Sequence, residues 1–280
     1  MNESIIARLP KSLVPIPTGL EPVGQLEIPV KAVLFDIYGT LFISESGDIG
    51  IAEEKSRISA GLKDLLIKNH IDTPPDTILK TFFSAIRATH KRLRAIGVDH
   101  PEVEIDLIWS EVLGINNRQS VREYAVEFEL LANPVYPMPH LKEILVHCKD
   151  SGIPMGIISN AQFYTPLLFN WYLGSDPEDL GFFTDLIIYS YQTGHAKPSM
   201  VLFDIAVKRL RKYNINPRSV VYVGNDMLND VYPADRVGFQ TALFAGDDRS
   251  LRLRDNDPRC SDISANLVIT DLIQLIEYIG

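Results

Sequence analysis

The chain has 280 residues, of which 46% are hydrophobic and 22% are charged, with 27 basic and 36 acidic residues and a net charge of −9. The length suits one globular domain with an insertion, and the negative charge disfavours binding to nucleic acid and to anionic membranes. No apolar run approaches the roughly 18 residues of a membrane span. The N-terminus does not resemble a signal peptide, and two cysteines are too few for a disulfide framework, so we predict a cytoplasmic protein.

Residues 1–29 contain five prolines and little hydrophobic periodicity. We predict that they form an N-terminal arm, which either lies on the body of the protein or crosses to a second subunit. A homo-oligomer is therefore compatible with the sequence.

Short continuous apolar runs, rich in Val and Ile, predict strands of a parallel sheet that is covered on both faces. They lie at residues 31–36, 153–159, 184–189, 219–224 and 239–244, with a sixth near 266–269. Helical segments separate them, at residues 138–151, 163–173, 198–212, 229–236 and 270–279. This alternation predicts an α/β fold with a doubly wound parallel sheet.

The segment 45–137 has a different pattern, because its apolar residues recur three and four apart and predict helix after helix. A simple loop between a strand and a helix needs only a few residues. We therefore predict an inserted all-helical domain at 45–137 and a core domain made of 30–44 and 138–280. The proline-rich NPVYPMP would be the hinge-like return to the core.

Polar residues stand where the predicted strands end. Asp36 follows the first strand, Ser159 and Asn160 end the second, Lys197 lies in the loop after the third, and the fourth runs into GNDMLND. In an open α/β sheet, ligands bind outside the carboxyl ends of the strands. Taken singly, most of these residues could cap helices or face solvent. Together, and in order, they predict one active site.

The same residues carry a family resemblance. FDIYGTL, IISN, the lysine of GHAKPSMVLF and VGNDMLNDV resemble the four motifs of the haloacid dehalogenase superfamily of hydrolases, over residues 31–245. The inserted helices then correspond to that family's helical cap, which covers the site.

The resemblance implies roles for the strand-end residues. Asp36 would be the nucleophile and would form a covalent aspartyl intermediate. Lys197 would hold it and neutralise charge in the transition state, and Ser159 would grip the oxygens of the transferred group. Thr40, Asn160 and Tyr38 would assist in substrate binding, and Thr40 would also help to orient the loop.

In the phosphatase branch of the family, Mg²⁺ is expected as the cofactor. Its ligands would be Asp36, the backbone carbonyl of Tyr38 and Asp226, with Asp230 as a further ligand or close by. Such oxygen ligands suit Mg²⁺, and three neighbouring carboxylates would repel one another without a cation.

Tyr38 departs from the phosphatase pattern, which usually has an aspartate there to protonate the leaving oxygen. Tyrosine, with a pKa of about 10, replaces that acid poorly, and the DxYGT form resembles the 2-haloacid dehalogenases. Asp226 and Asp230 oppose that interpretation, as does Phe203, where the dehalogenases place a tyrosine.

The inserted helices offer weaker signals. Arg87, Lys91, Arg92 and Arg94 share a predicted helix with His90; they could meet an anionic substrate, but a solvated face is favoured. The aromatic residues Phe82, Phe83 and Trp109 could form a platform for substrate, but a place in the core of the cap is favoured. The charged segment 243–260 matches no motif.

Three hypotheses follow. The leading one is a Mg²⁺-dependent phosphohydrolase of a small anionic metabolite. The second is a metal-independent 2-haloacid dehalogenase. The third is a protein that keeps the fold and binds a ligand but turns over little.

Overall fold

The computed structural model describes residues 9, 12–45 and 56–279, and the side chains of all of these except 56–60. The strands are β1 Val23–Gly24, β2 Ala32–Phe35, β3 Phe42–Ser44, β4 Val135–Pro137, β5 Met155–Ser159, β6 Phe182–Tyr189, β7 Val220–Gly224, β8 Gln240–Phe244 and β9 Leu267–Ile269. All six predicted strands are confirmed. The three that were not predicted, β1, β3 and β4, are two or three residues long.

Seven strands form the main sheet, in the order β1-β9-β8-β7-β2-β5-β6. All neighbours are parallel except β1, which runs antiparallel to β9. Every residue of β2, β5, β7 and β8 is buried. Such burial matches a parallel sheet covered on both faces, and it confirms the predicted doubly wound α/β core.

The α-helices are α1 Ser56–Lys68, α2 Pro75–Ala95, α3 Ile105–Leu113, α4 Arg118–Ala132, α5 Leu141–Asp150, α6 Leu167–Leu173, α7 Ser190–Thr193, α8 Met200–Leu210 and α9 Tyr232–Arg236. Shorter helical turns include a π-helix at Met227–Val231 and a 3-10 helix at Leu272–Tyr278. No helix in the part of the chain that the structure describes is long and apolar enough to cross a membrane.

Helices α1 to α4 follow one another between β3 and β4 and have their own apolar core. Rings of Phe82, Trp109 and Phe128 meet at its centre, with Phe82 stacked on Trp109 at 4.1 Å. We call α1 to α4 the cap. The predicted boundaries of 45 and 137 stay a prediction, and residues 46–55 lie outside the described part.

The two chain segments that join the cap to the core run side by side. Strands β3 and β4 pair antiparallel, with Phe42 opposite Pro137 and Ser44 opposite Val135. The predicted hinge NPVYPMP therefore contains a strand, because its residues pair with a segment far away in sequence.

The described part of the N-terminal arm lies along the body of its own chain. Val23 pairs with Val268 at the edge of the sheet, and the amide of Gln240 bonds to the backbone of Glu27 and Ile28. Residues 1–8, 10 and 11 of the predicted arm lie outside the described part.

Candidate active site

Three neighbouring strands bring the predicted residues to one edge of the sheet. Asp36 follows the central strand β2, Ser159 ends β5 on one side, and Asp226 follows β7 on the other. A cleft with a volume of about 380 Å³ opens there, lined by core loops on one side and by the cap on the other.

Asp36 and Lys197 form the centre of the site. The ammonium of Lys197 lies 2.7 Å from Asp36 and 2.5 Å from Asp230, and all three side chains are buried. Burial opposes the charge on Lys197, but the ion pairs with Asp230 and Asp36 outweigh it and raise the pKa of the lysine. Lys197 therefore stays protonated and holds the carboxylate of Asp36 in place.

Tyr222 stabilises this arrangement from within β7. Its hydroxyl lies 2.8 Å from the carbonyl of Ile158 and 3.1 Å from Asp230, and it accepts a hydrogen bond from Lys197 at 3.2 Å. This role has little signal in the sequence, because Tyr222 stands inside the apolar strand VVYVG.

Asp230 is packed beneath the site and faces Lys197. A side chain at Gly224 would place its Cβ 2.4 Å from the carboxyl carbon of Asp230, so only glycine fits there. Asp230 also accepts a hydrogen bond from the backbone N–H of Asp226 at 3.0 Å. Burial raises the pKa of Asp230, and Lys197 opposes that shift.

Asp226 is held by a residue that the sequence did not indicate. The guanidinium of Arg254 bonds to both of its carboxylate oxygens, at 2.6 Å and 3.0 Å. Asn229 donates to the same carboxylate at 2.9 Å. Lys197 and Arg254 thus supply two positive charges to the acidic cluster, so repulsion among the carboxylates does not by itself require a metal.

Ser159 and Asn160 occupy different roles at the end of β5. The Ser159 hydroxyl is fully buried and has no hydrogen-bond partner among the described residues. Asn160 instead accepts a hydrogen bond from the backbone N–H of Lys197 at 2.7 Å, and it fixes the loop that carries the lysine.

Thr40 lies in a hydrogen-bond network that holds the loop after β2. Its side chain is fully buried and donates to Asn225 at 3.0 Å, while Asn225 donates to the carbonyl of Ser250 at 2.6 Å. Gly39 has a left-handed φ of 82°, and a Cβ there would lie 2.6 Å from Ser250. These contacts show Thr40 holding this loop, and its role in substrate binding stays a prediction.

Tyr38 lines the cleft, and its hydroxyl pairs with Thr165. That hydroxyl lies 3.0 Å from the hydroxyl of Thr165. Burial, with the nearby charge of Glu129, raises the pKa of Tyr38 far above its usual value. It is thus an even poorer proton shuttle than an exposed tyrosine.

Six predicted residues line the cleft together, namely Asp36, Tyr38, Asn160, Lys197, Asp226 and Asp230, whereas Ser159 and Thr40 are fully buried and do not line it. Within the described part of the chain, however, no three histidine, cysteine or carboxylate side chains are grouped so that they could hold a metal ion. Sequence reasoning missed Tyr222, Arg254 and two acids, Glu102 and Glu129, that also line or adjoin the cleft.

Comparison with known proteins agrees with this site. A family model for haloacid dehalogenase-like hydrolases matches residues 30–238, about three quarters of the chain. The chain belongs to the haloacid dehalogenase-like hydrolases. This hydrolase has the motif residues of its family at the strand ends described above, and the resemblance seen in the sequence is confirmed.

Curated relatives of this hydrolase carry phosphatase names. It is 27% identical to a glyceraldehyde 3-phosphate phosphatase of Methanopyrus kandleri, over 83% of this chain and 90% of that protein. It is 28% identical to a ribulose-1,5-bisphosphate 5-phosphatase of Halopiger xanaduensis, over 51% of this chain. That match spans 56% of the Halopiger protein, little more than half of its length.

Solved structures of both branches share the fold. A phosphatase of the family from Thermococcus onnurineus has a TM-score of 0.53 and 21% identity, covering 89% of this chain and 97% of its own. A 2-haloacid dehalogenase from Pseudomonas syringae has a TM-score of 0.55 and 17% identity, with the same coverage. At these identities, the likeness shows the fold and does not separate the two chemistries.

Proposed function

We propose that the protein hydrolyses the phosphate ester of a small metabolite, with Asp36 as nucleophile. The observation that carries the proposal is the buried contact of 2.7 Å between Asp36 and Lys197 at the cleft, next to a strand whose last hydroxyl, Ser159, has no partner among the described residues. A phosphate oxygen is an acceptor that would satisfy this hydroxyl. The phosphatase names of the curated relatives support the same reaction. The cytoplasm remains our prediction for its location.

The proposed reaction has two steps. The carboxylate of Asp36 attacks phosphorus, the leaving oxygen departs as the anion and takes a proton from solvent, and water then hydrolyses the aspartyl phosphate. Lys197 neutralises charge on the transferred oxygens, and Ser159 donates a hydrogen bond to one of them. Tyr222 and Asn160 act indirectly, because they hold Lys197 in position.

Mg²⁺ is the proposed cofactor. The donor set fits it chemically, since Asp36 and Asp226 provide hard carboxylate oxygens at the cleft. The metal would supply positive charge to the phosphoryl group. Asp36, Asp226 and the carbonyl of Tyr38 would hold it, with Asp230 beside them, and Mg²⁺ would compete with Arg254 for Asp226.

This competition predicts the behaviour of Arg254→Gln. We expect the variant to bind Mg²⁺ about fivefold more tightly, because a partly exposed ion pair contributes up to about 1 kcal/mol. Isothermal titration calorimetry measures this without substrate. Arg259→Gln is the matched control, since Arg259 pairs with Asp257 in the same loop, at 2.8 Å, and does not line the cleft. Equal or weaker Mg²⁺ binding by Arg254→Gln would show that Asp226 is not a ligand of the metal.

The second candidate function is 2-haloacid dehalogenation, favoured by Tyr38 and by the ion pair that already neutralises Asp226. Phosphate release from p-nitrophenyl phosphate and halide release from 2-chloropropionate should be measured in parallel, with Mg²⁺ and with EDTA. We expect phosphate release that EDTA abolishes and Mg²⁺ restores. Halide release that persists in EDTA would establish the dehalogenase instead, and neither product would indicate a ligand-binding protein.

A further inference from the structure

Part of the lining of the cleft that contains Asp36 is made of aromatic rings from the cap. Phe82 and Phe83 of α2, Trp109 of α3 and Phe128 of α4 line it. We call these four residues the aromatic wall. The rings pack on one another, with centroids 4.7 Å apart for Trp109 and Phe128 and 5.2 Å apart for Phe82 and Phe83. The wall is therefore both the core of the cap and an apolar part of the cleft lining.

The described basic side chains of the cap do not line the cleft. Arg87, Lys91, Arg92 and Arg94 are exposed, and none of them lines it. Within the described part of the chain, the lysine and arginine side chains that line the cleft all belong to the core, namely Lys197, Arg252 and Arg254. The hypothesis that the cap helix meets an anionic group receives no support from this arrangement.

The polar groups that the cap does present are acids and a histidine. Glu129 accepts a hydrogen bond from Tyr164 at 2.8 Å, and Glu102 accepts one from Ser190 at 2.7 Å. Burial raises the pKa of both carboxyl groups. His90 lines the cleft with a buried Nε2 that has no partner among the described residues. A second anionic group on the substrate would meet these acids and, over the described ranges, no lysine or arginine of the cap.

The acid Glu102 sits in a segment that is fastened to the core. The carbonyl of His100 accepts from Ala196 at 2.7 Å, and the N–H of Glu102 donates to Gly194 at 3.0 Å. Both contacts are with the loop that carries Lys197. These contacts hold the segment of Glu102 against the loop that carries Lys197, and Glu102 lines the cleft.

The aromatic wall and the acids of the cap line the same cleft as Asp36. From this arrangement we propose a substrate class, which rests on the proposed phosphohydrolase function. The alcohol esterified to phosphate is uncharged and carries an aromatic ring, which packs on the aromatic wall while the phosphate lies at Asp36. A polar substituent on the ring would bond to His90. The cleft volume of about 380 Å³ falls within the usual range for small-molecule pockets, about 300–1,000 Å³. Sugar bisphosphates and phosphorylated carboxylic acids are disfavoured.

Three esters of alkyl alcohols test the substrate class without changing the demand for leaving-group protonation. They are benzyl phosphate, glycerol 3-phosphate and 3-phosphoglycerate. We expect kcat/KM for benzyl phosphate to exceed that for glycerol 3-phosphate by about tenfold to a hundredfold, since a buried ring gains apolar contact. The value for 3-phosphoglycerate should be lower still, because of its carboxylate.

Two pairs of variants test which residues of the cleft cause the preference for benzyl phosphate. Phe83→Leu should reduce the ratio of benzyl to glycerol kcat/KM severalfold, whereas Phe183→Leu, which removes a half-exposed ring outside the cleft, should not. Glu102→Gln should raise the relative rate with 3-phosphoglycerate, and the exposed Glu104→Gln should leave it unchanged.

The outcomes separate the two proposals. Equal or faster hydrolysis of glycerol 3-phosphate or 3-phosphoglycerate by the wild-type protein would overturn the substrate class while leaving the phosphohydrolase intact. This comparison needs no variant, so it holds even if Phe83→Leu does not fold. No phosphate release from any ester, p-nitrophenyl phosphate included, would overturn the phosphohydrolase, and the substrate class with it.

Discussion

Asp36→Asn should lower kcat by at least about 10³-fold, because it removes the nucleophile on which the two-step reaction depends. The amide has nearly the same shape as the carboxylate, and Lys197 keeps its ion pair with Asp230 at 2.5 Å. We therefore expect a folded protein with a melting temperature close to that of the wild type. Steady-state kinetics and circular dichroism measure the two properties.

Asp235→Asn is the control for this substitution, since Asp235 is exposed on α9 and does not line the cleft. It should retain full activity. A phosphoryl label should appear on the wild-type protein after rapid quenching with labelled substrate, and it should be absent from Asp36→Asn. Activity of Asp36→Asn within tenfold of the wild type would exclude the aspartyl mechanism.

The parallel sheet could be predicted because its strands carry their signal locally. KAVLFD and SVVYVG are continuous apolar runs, and both lie in the buried centre of the sheet. Strands β1, β3 and β4 lack such a signal, because a run of two or three residues is too short to show hydrophobic periodicity. They form because distant segments meet, as Phe42 meets Pro137.

Those residues of the site that lie at the ends of the strands could be predicted from the sequence. Asp36, Lys197 and Asp226 follow from chain order and strand position. Arg254 does not, because it lies 28 positions from Asp226 in a loop without regular structure and has a left-handed φ of 58°. Tyr222 could not be distinguished from an ordinary strand tyrosine until its hydroxyl was placed between Lys197 and Asp230.

The sequence also could not show which side chains of the cap line the cleft. Helical spacing showed that α2 has an apolar face, which holds Phe82 and Phe83. It could not show that this face continues into the cleft, because that depends on how the cap is seated on the core. The contacts of His100 and Glu102 with the loop before Lys197 fix this position, and they join residues about 95 positions apart.

Tyr38→Asp should convert a selective phosphohydrolase into a more general one. Without an acid at this position, the leaving oxygen departs unprotonated, so aryl phosphates should react much faster than alkyl phosphates. General acid catalysis is worth roughly 10²–10⁴-fold. We expect the substitution to narrow the ratio of aryl to alkyl kcat/KM by about 10²-fold, chiefly by raising alkyl turnover.

The environment of residue 38 favours this result. The substitution keeps the backbone carbonyl proposed to bind Mg²⁺ and removes the hydrogen bond between the Tyr38 and Thr165 hydroxyls, which are 3.0 Å apart. An aspartate there would lie near Asp36 and Glu129, whose charges also act on Tyr38. Neighbouring negative charge raises the pKa of a carboxyl group and helps it to remain a proton donor near neutral pH.

The measurement is kcat/KM for p-nitrophenyl phosphate and benzyl phosphate at several pH values, in the wild type, Tyr38→Asp and Tyr38→Phe. The phenylalanine variant removes the hydroxyl without adding an acid, so its ratio should match the wild type. If Tyr38→Asp leaves the ratio unchanged, another group already supplies the proton, and Glu102 and Glu129 are the acids of the cap that line the cleft. If both phosphate activities fall while the wild type releases halide, the protein is a dehalogenase. Halide leaves without a proton, so a dehalogenase needs no acid at the position of Tyr38.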